Sequence, residues 1–358
     1  MAKTTARIQI RQIAERVGLS QSTVSIVLNG RGDEMRISKE SQRRIREAAK
    51  EMNYQPNIYA RRLRRAGAEK QAGQIVCVFW NETSAEDAMI QYFKGLSRAV
   101  EKNGYGVEFM VKLFKTGRLS ELRDSMTLLK YNGILIVGAS QTDLDYLAQE
   151  DLDIPIVVNR PSDKYTSVYM DAYEVGAECA RMFSKKGFRT AGMMSAQLPT
   201  VGMGLRELGF LNGCRSLGID VREEWVMRGE NTDMQTGYEY ASRFCAMEER
   251  PAGVFIMQES LTLGAMMYFK GSKVRIPEDL ALVSFGLTPI LKHMTPSVTM
   301  IGVSMADTGE TAIDILMTVI KNNIKMPISK LLPFKCEYGD SFRPDGGEET
   351  AWPVQGKE

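Results

Sequence analysis

From Gln74 to about residue 345, short unbroken apolar runs alternate with longer amphipathic stretches, and this alternation leaves few folds open to the chain. The runs Ile75–Trp80, Tyr105–Val111, Gly133–Val137, Ile154–Asn159, Thr190–Met194, Gly253–Met257 and Leu280–Phe285 read as strands. A strand that is apolar without alternation is covered on both faces, which is the habit of parallel sheets. Between the runs, Ala88–Asn103 and the stripe Leu119, Leu122, Met126 and Leu129 read as helices. Strand–helix alternation of this kind predicts parallel α/β architecture. The strands are too many for one compact sheet, and Asn159–Asp171 reads as a crossing segment. Two similar α/β lobes with a cleft between them are the expectation.

The first seventy residues differ in kind. They hold 16 Lys and Arg against 7 Asp and Glu, which leaves 30 against 37 for the remainder of the 358-residue chain. A basic head on an acidic body, hidden within a net charge of only +2, is the footprint of a nucleic-acid-binding module joined to something else.

Within that head, Ile10 to Asn29 reads IRQIAERVGLSQSTVSIVLN. Ile10, Ile13, Ala14 and Val17 fall at helical spacing, Gly18 supplies the left-handed residue of a tight turn, and Ser20 is a natural N-cap. Val24, Val27 and Leu28 form a second apolar stripe, and a small Ala14 lets the two helices cross closely. The pattern is a helix-turn-helix. A third helix is expected from the cap Ser38 to about Met52, with Ile45, Ala48, Ala49 and Met52 inward. Tyr54-Gln55-Pro56-Asn57 follows, where Pro56 breaks the helix. Then comes the arginine-dense helical segment Ile58 to Arg65.

These pieces, IAERVGLSQSTVSIVLNG followed by NYQPNIYARRLR, resemble the lactose-repressor (LacI/GalR) family of transcription regulators, and the likeness extends over about residues 6–345. The resemblance implies a three-helix head with a hinge helix, then a two-lobed body of the type I periplasmic-binding-protein kind. The implied divisions are 1–56 for the head and 57–73 for the hinge. The body is 74–345, with a first lobe of about 74–165 and 303–330 and a second of about 166–302 and 331–345; a tail covers 346–358. The chain is expected to cross between the lobes three times, with the last crossing near Gly302. The resemblance further implies a homodimer on palindromic double-stranded operator DNA. Carried over by position, Gln21 and Ser22 touch base edges, and Thr23, Ser25, Asn29 and Tyr54 hold phosphates. Asn57 belongs to the hinge, Ala60 lets two hinge helices approach, and Leu63 takes the place of an apolar wedge in the minor groove. Two departures stand out. Ile26 replaces the family's usual arginine, and the loop before Ser38 is about three residues longer than the common pattern.

The body carries family-like stretches at Ile154–Pro161, Ser167–Gly176, Arg206–Phe210 and Val274–Gly286. Arg206 lies where the family commonly places an arginine that meets the effector, and Asn159, Arg160, Gln258 and Glu259 are the further expected contacts. The rest of the pocket departs from a sugar site. Gln258-Glu259 stands for an Asn-Asp pair, Gly286 for an aspartate, and Ser84–Met89 for an Asn-Pro-aromatic run. Asn231 and Thr232 occupy the region of a stacking aromatic. A sugar, an anionic metabolite held by Arg206 and Arg160, and a body that answers to no metabolite all remain open.

Other classes are less well supported. The five cysteines are scattered and never form a C-x-x-C pair, which suits reduced thiols rather than disulfides or zinc. The one histidine, His293, stands in an expected loop, and no Gly-x-Ser-x-Gly, P-loop or HExxH motif occurs. Gly202-Met-Gly204 is too short for a phosphate cradle, and the 22 methionines are dispersed over apolar stripes. No enzyme, cofactor or metal is called for. No run of eighteen apolar residues and no apolar leader is present, so a cytoplasmic, non-membrane protein is expected. A free-standing solute receptor or a nucleoid-architectural protein are the alternatives.

Overall fold

The computed structural model describes residues 10–28, 32–52, 54, 73–82, 86–128, 130–196 and 200–344. The expected hinge helix, with Asn57, Ala60 and Leu63, lies outside the described residues, as do Asn29 and the tail. The chain divides into two compact units, a head of residues 1–72 grouped with 127–131, and a body of residues 73–126 and 132–358.

The head contains α1 (Ile10–Val17), α2 (Gln21–Leu28) and α3 (Lys39–Glu51). Gly18 ends α1 with φ +67°, and Leu19 N–H closes the turn onto Ala14 O at 3.1 Å. Ser20 Oγ accepts from Thr23 N–H at 3.1 Å and caps α2; Ser38 Oγ accepts from Ser41 N–H at 3.2 Å and caps α3. Ile13, Ala14, Val17, Val24, Val27, Ile45, Ala48 and Ala49 form one buried core, with Met52 and Tyr54 packed against it. Arg44 donates to Val17 O at 2.8 Å and Arg16 pairs with Glu51, tying α1 to α3. The long loop before Ser38 has its own brace. Gln42, only 3% exposed, donates to Asp33 Oδ1 at 2.8 Å and to Ile37 O at 2.9 Å, and Lys39 pairs with Asp33.

The body contains two six-stranded sheets. The first has β1 (Gln74–Asn81), β2 (Val107–Phe114), β3 (Gly133–Val137), β4 (Ile156–Val158), β5 (Thr166–Tyr169) and β11 (Ser329–Leu331) in the order β11-β5-β4-β3-β1-β2, all parallel. The second has β6 (Ala191–Ala196), β7 (Val226–Gly229), β8 (Gly253–Ile256), β9 (Ala281–Phe285), β10 (Thr299–Gly302) and β12 (Lys335–Glu337) in the order β12-β10-β9-β8-β6-β7. Only β12 runs antiparallel. Helices α4 (Glu86–Asn103) and α11 (Met305–Asn322) pack on each other beside the first sheet, α5 (Gln141–Gln149) precedes β4, and α6 (Ala172–Lys185) packs on α7 (Val201–Ser216) in the second lobe. The pair α8 (Met234–Ala246) and α9 (Glu259–Gly271) flanks the second sheet, and the short α10 (Pro289–Lys292) precedes β10. The central strands are buried along their whole length, as unbroken apolar runs require.

Four sequence readings need correction. The stripe Leu119–Leu129 does not build an α-helix; Leu119–Ser125 is a 3-10 turn. Asp143 reaches back to accept from Gly117 N–H at 3.1 Å and Leu119 N–H at 2.9 Å, which pins the connection in a tight path. The segment Asn159–Asp171 is not all crossing, because Thr166–Tyr169 pairs with β4 and β11 in the first sheet. The change of lobe therefore follows Tyr169 rather than residue 165. Strand β7 carries only one buried residue, Met227, and its weak pattern hid it from the sequence reading. The crossing after Gly302, where the chain leaves the second sheet for α11, is not the last, because β11 pairs in the first sheet and the chain crosses once more after Leu331 to reach β12.

Candidate functional site

Two surfaces carry side chains that the core does not need. On the head, Gln21 and Ser22 are exposed in the first turn of α2. Thr23 and Ile26 are partly exposed, and Thr23 Oγ1 shares a 2.8 Å hydrogen bond with Ser20 Oγ. Ser25 is 8% exposed and faces the helix packing rather than solvent. Tyr54 rests half-buried against the head core.

On the body, the expected polar residues meet where the two sheets end. The position of Arg206 follows from a helix crossing. Gly176 of α6 lies against the backbone of Arg206, and Gly209 of α7 lies against the backbone of Tyr173, so any side chain at either glycine would overlap a carbonyl. The two helices thus cross at backbone contact, and Arg206 is held at that crossing. Its side chain is 6% exposed. The guanidinium lies 3.4 Å over the centroid of the Phe285 ring, and Nη2 donates to Met257 O at 3.4 Å. Its Nε has no partner. Burial, aided by the charge of Arg160, pulls the Arg206 pKa down to about 9.

Arg160 follows β4. Its Nη1 donates to Asn159 O at 3.2 Å, its Nε is buried without a partner, and burial lowers its pKa. The guanidinium packs on the first turn of α7, where a methyl at Gly202 would stand 3.3 Å from Nη2. Asn159 serves the first lobe itself, its Oδ1 accepting from Gly138 N–H at 3.1 Å. Gln258 is the N-cap residue of α9, and its carbonyl accepts from the Thr262 hydroxyl at 2.9 Å. Glu259 turns toward Gly286, where φ is +102° and any side chain would overlap the Glu259 carboxyl. Burial, reinforced by the negative charge of Asp87 and opposed by Arg206, pushes Glu259 up to about 7. Asp87 accepts from the Thr288 hydroxyl at 2.8 Å, which joins α4 of the first lobe to the start of α10 in the second.

Sequence reasoning missed Asp87, Thr288 and Phe285 in this setting. Phe285 was taken only as the end of a strand, and nothing in the local pattern ties Asp87 to a residue 201 positions away. Among the described residues, no group of three His, Cys, Asp or Glu side chains stands close enough to hold a metal ion. No helix among them is long and apolar enough to cross a membrane.

A helix-turn-helix unit followed by two parallel-sheet lobes, with buried charged groups between them, defines a DNA-binding regulator that carries its own sensor. Comparison with known proteins agrees. Residues 9–57 match the family of bacterial regulatory proteins of the lacI type, and residues 180–342 match the periplasmic binding protein-like domain. The HTH-type transcriptional repressor PurR of Pasteurella multocida is 27% identical over 316 residues, covering 86% of this chain and 90% of the relative. A LacI family transcription regulator from Clostridium acetobutylicum superposes with a TM-score of 0.68 at 25% identity, over 72% of this chain and 97% of that one. The lac repressor dimer bound to operator and the anti-inducer ONPF shares the fold, with a TM-score of 0.65 at 18% identity over 94% of this chain and 99% of that one. The chain thus carries a lacI-family helix-turn-helix region followed by a periplasmic-binding-protein-like domain, the make-up of a DNA-binding regulator with an effector-binding body.

Proposed function

We propose that this regulator is a cytoplasmic, non-enzymatic repressor that binds a near-palindromic operator as a homodimer and takes a small molecule between the lobes of its body. The observation that carries the reading is the exposure of Gln21 and Ser22 on the first turn of a helix whose other face is locked into the head core. An amide and a hydroxyl so presented can hydrogen-bond base edges in the major groove. Thr23, Asn29 and Tyr54 serve as phosphate contacts, and Ile26 offers an apolar contact suited to a thymine methyl. The burial of Ser25 favours a supporting part over phosphate contact. Asn57, Ala60 and Leu63 form the hinge, with Leu63 as the minor-groove wedge.

The likeness to the PurR repressors favours repression, and the likeness to a lac repressor dimer bound to operator favours a dimer on operator DNA. Exposed Leu205 and Leu208 on α7, Met234 and Tyr238 on α8 and Met267 on α9 supply apolar surface for a second copy. In the body, Arg206, Arg160, Gln258 and Glu259 are the effector contacts, with Asn159 positioning Arg160. By linkage, an effector changes operator affinity only as far as it distinguishes the two lobe arrangements.

Selection of genomic fragments with the full-length protein at two salt concentrations tests this. A near-palindromic site whose affinity falls steeply with salt is expected. Gln21→Ala then weakens that site by about tenfold or more while leaving unrelated DNA nearly unaffected. Leu63→Ser weakens the same site and leaves the dimer intact. Recovery of unselected DNA overturns the reading.

A further inference from the structure

We propose that the interlobe cleft takes an anion, a carboxylate or phosphate group held jointly by the guanidinium groups of Arg160 and Arg206 at the first turn of α7. The proposal rests on the reading of this cleft as the effector site and names the charge of what enters it.

Four observations converge. Arg206 is 6% exposed, yet among the described residues its only hydrogen bond is a long one to the Met257 carbonyl, and its Nε is orphaned. Arg160 is partly buried, with one hydrogen bond among the described residues, to the adjacent carbonyl of Asn159, and an orphaned Nε. Among the described residues, neither guanidinium forms an ion pair. Finally, Arg160 packs on Gly202, the second residue of a 16-residue helix, where the Thr200 side chain occupies only the Met203 amide. The free amides of the first turn and the helix dipole make that end positive.

Two like charges withdrawn from water beside a positive helix terminus oppose folding unless a negative group joins them. Glu259 does not fill that part. It is turned to Gly286 and, although its charge favours the Arg206 guanidinium, it makes no salt bridge with it among the described residues. The donors point to the chemistry of the missing partner. A guanidinium offers only N–H donors, in a fork that matches two oxygens of a carboxylate or phosphate. A neutral polyol would satisfy some of these donors but add no negative charge beside the two guanidinium groups.

Thermal melts and titration calorimetry of the full-length protein test the proposal, with inorganic phosphate and succinate as anions. Potassium chloride at matched ionic strength is the screening control, and glucose is the neutral comparator. Phosphate or succinate should raise Tm well beyond chloride by about 50 mM, with glucose inert. Whichever anion binds more tightly identifies the class. Arg160→Met should weaken that binding about tenfold or more and raise the Tm of the ligand-free protein, because an unpaired buried charge is gone. Arg160→Lys should keep part of the response.

No stabilisation beyond chloride overturns the proposal, as does equal binding of glucose by the wild type and Arg160→Met. An anion response that survives in both Arg160→Met and Arg206→Met assigns the binding to the basic head and also overturns it. A selected operator without an anion response removes the anion alone. Unselected DNA removes the regulatory reading, whatever the melts show.

Discussion

The hydroxyl of Thr288 donates to Oδ2 of Asp87 at 2.8 Å, and this bond crosses from one lobe of the body to the other. Thr288 is 1% exposed, so the contact is shielded from water competition. Thr288→Val keeps the shape and removes the donor. We expect a net loss of about 1–2 kcal/mol of stability and a larger radius of gyration for the ligand-free protein. Denaturant melts and small-angle scattering read both. Unchanged scattering would mean that the crossings alone hold the lobes together.

Glu259 supplies a pH prediction. Burial, together with the negative charge of Asp87 and against the charge of Arg206, pushes its carboxyl up to about 7 from an ordinary value of 4.5. Between those values the folded protein holds a proton that the unfolded chain has released. The contribution is therefore fully present below about pH 4.5, declines as pH rises, and is lost above about pH 7. The decline should be at most about 3 kcal/mol. Glu259→Gln should flatten that slope in urea titrations run across the interval.

Gly286 is constrained twice, by φ of +102° and by the Glu259 carboxyl in the space a side chain would need. Gly286→Ala should cost about 1–3 kcal/mol. Glu259→Ala made in the same chain should recover the overlap but not the backbone strain, so a double-mutant cycle should show positive coupling. Strict additivity would contradict the contact.

Ser38 caps α3 through the Ser41 amide. Ser38→Ala should lower the stability of the head by about 1 kcal/mol. Hydrogen exchange of the α3 amides should quicken, while exchange in the sheets of the body stays as it was.

The parts of the fold legible in the sequence were those whose physics is local. Gly18, Ser20 and Ser38 announce turn and caps, and the apolar runs of β3, β6 and β8 announce buried parallel strands. Register and lobe membership were not local. Thr166–Tyr169 lies inside the first sheet, between β4 and the strand Ser329–Leu331, which returns to pair with it from more than 150 residues away. The stripe through Leu119 and Met126 has helical spacing, but the Asp143 carboxylate claims the amides at its start. In the cleft, Arg206, Arg160 and Glu259 were legible as residue types at family positions. That Glu259 occupies the space left by Gly286, and that Asp87 faces Thr288, depends on the packing of separate elements.

The backbone contact between α6 and α7 has a mechanical meaning. With Gly176 and Gly209 each seated on the opposite main chain, no layer of side chains remains between the helices to deform under load. Arg206 sits at that junction, so a pull on its guanidinium is delivered to both helices as to a single beam. The compliance of the body then lies elsewhere, in the three short strands of chain after Tyr169, Gly302 and Leu331. A small charge in the cleft can therefore turn a whole lobe, because the lobe is stiff at the place where the charge takes hold.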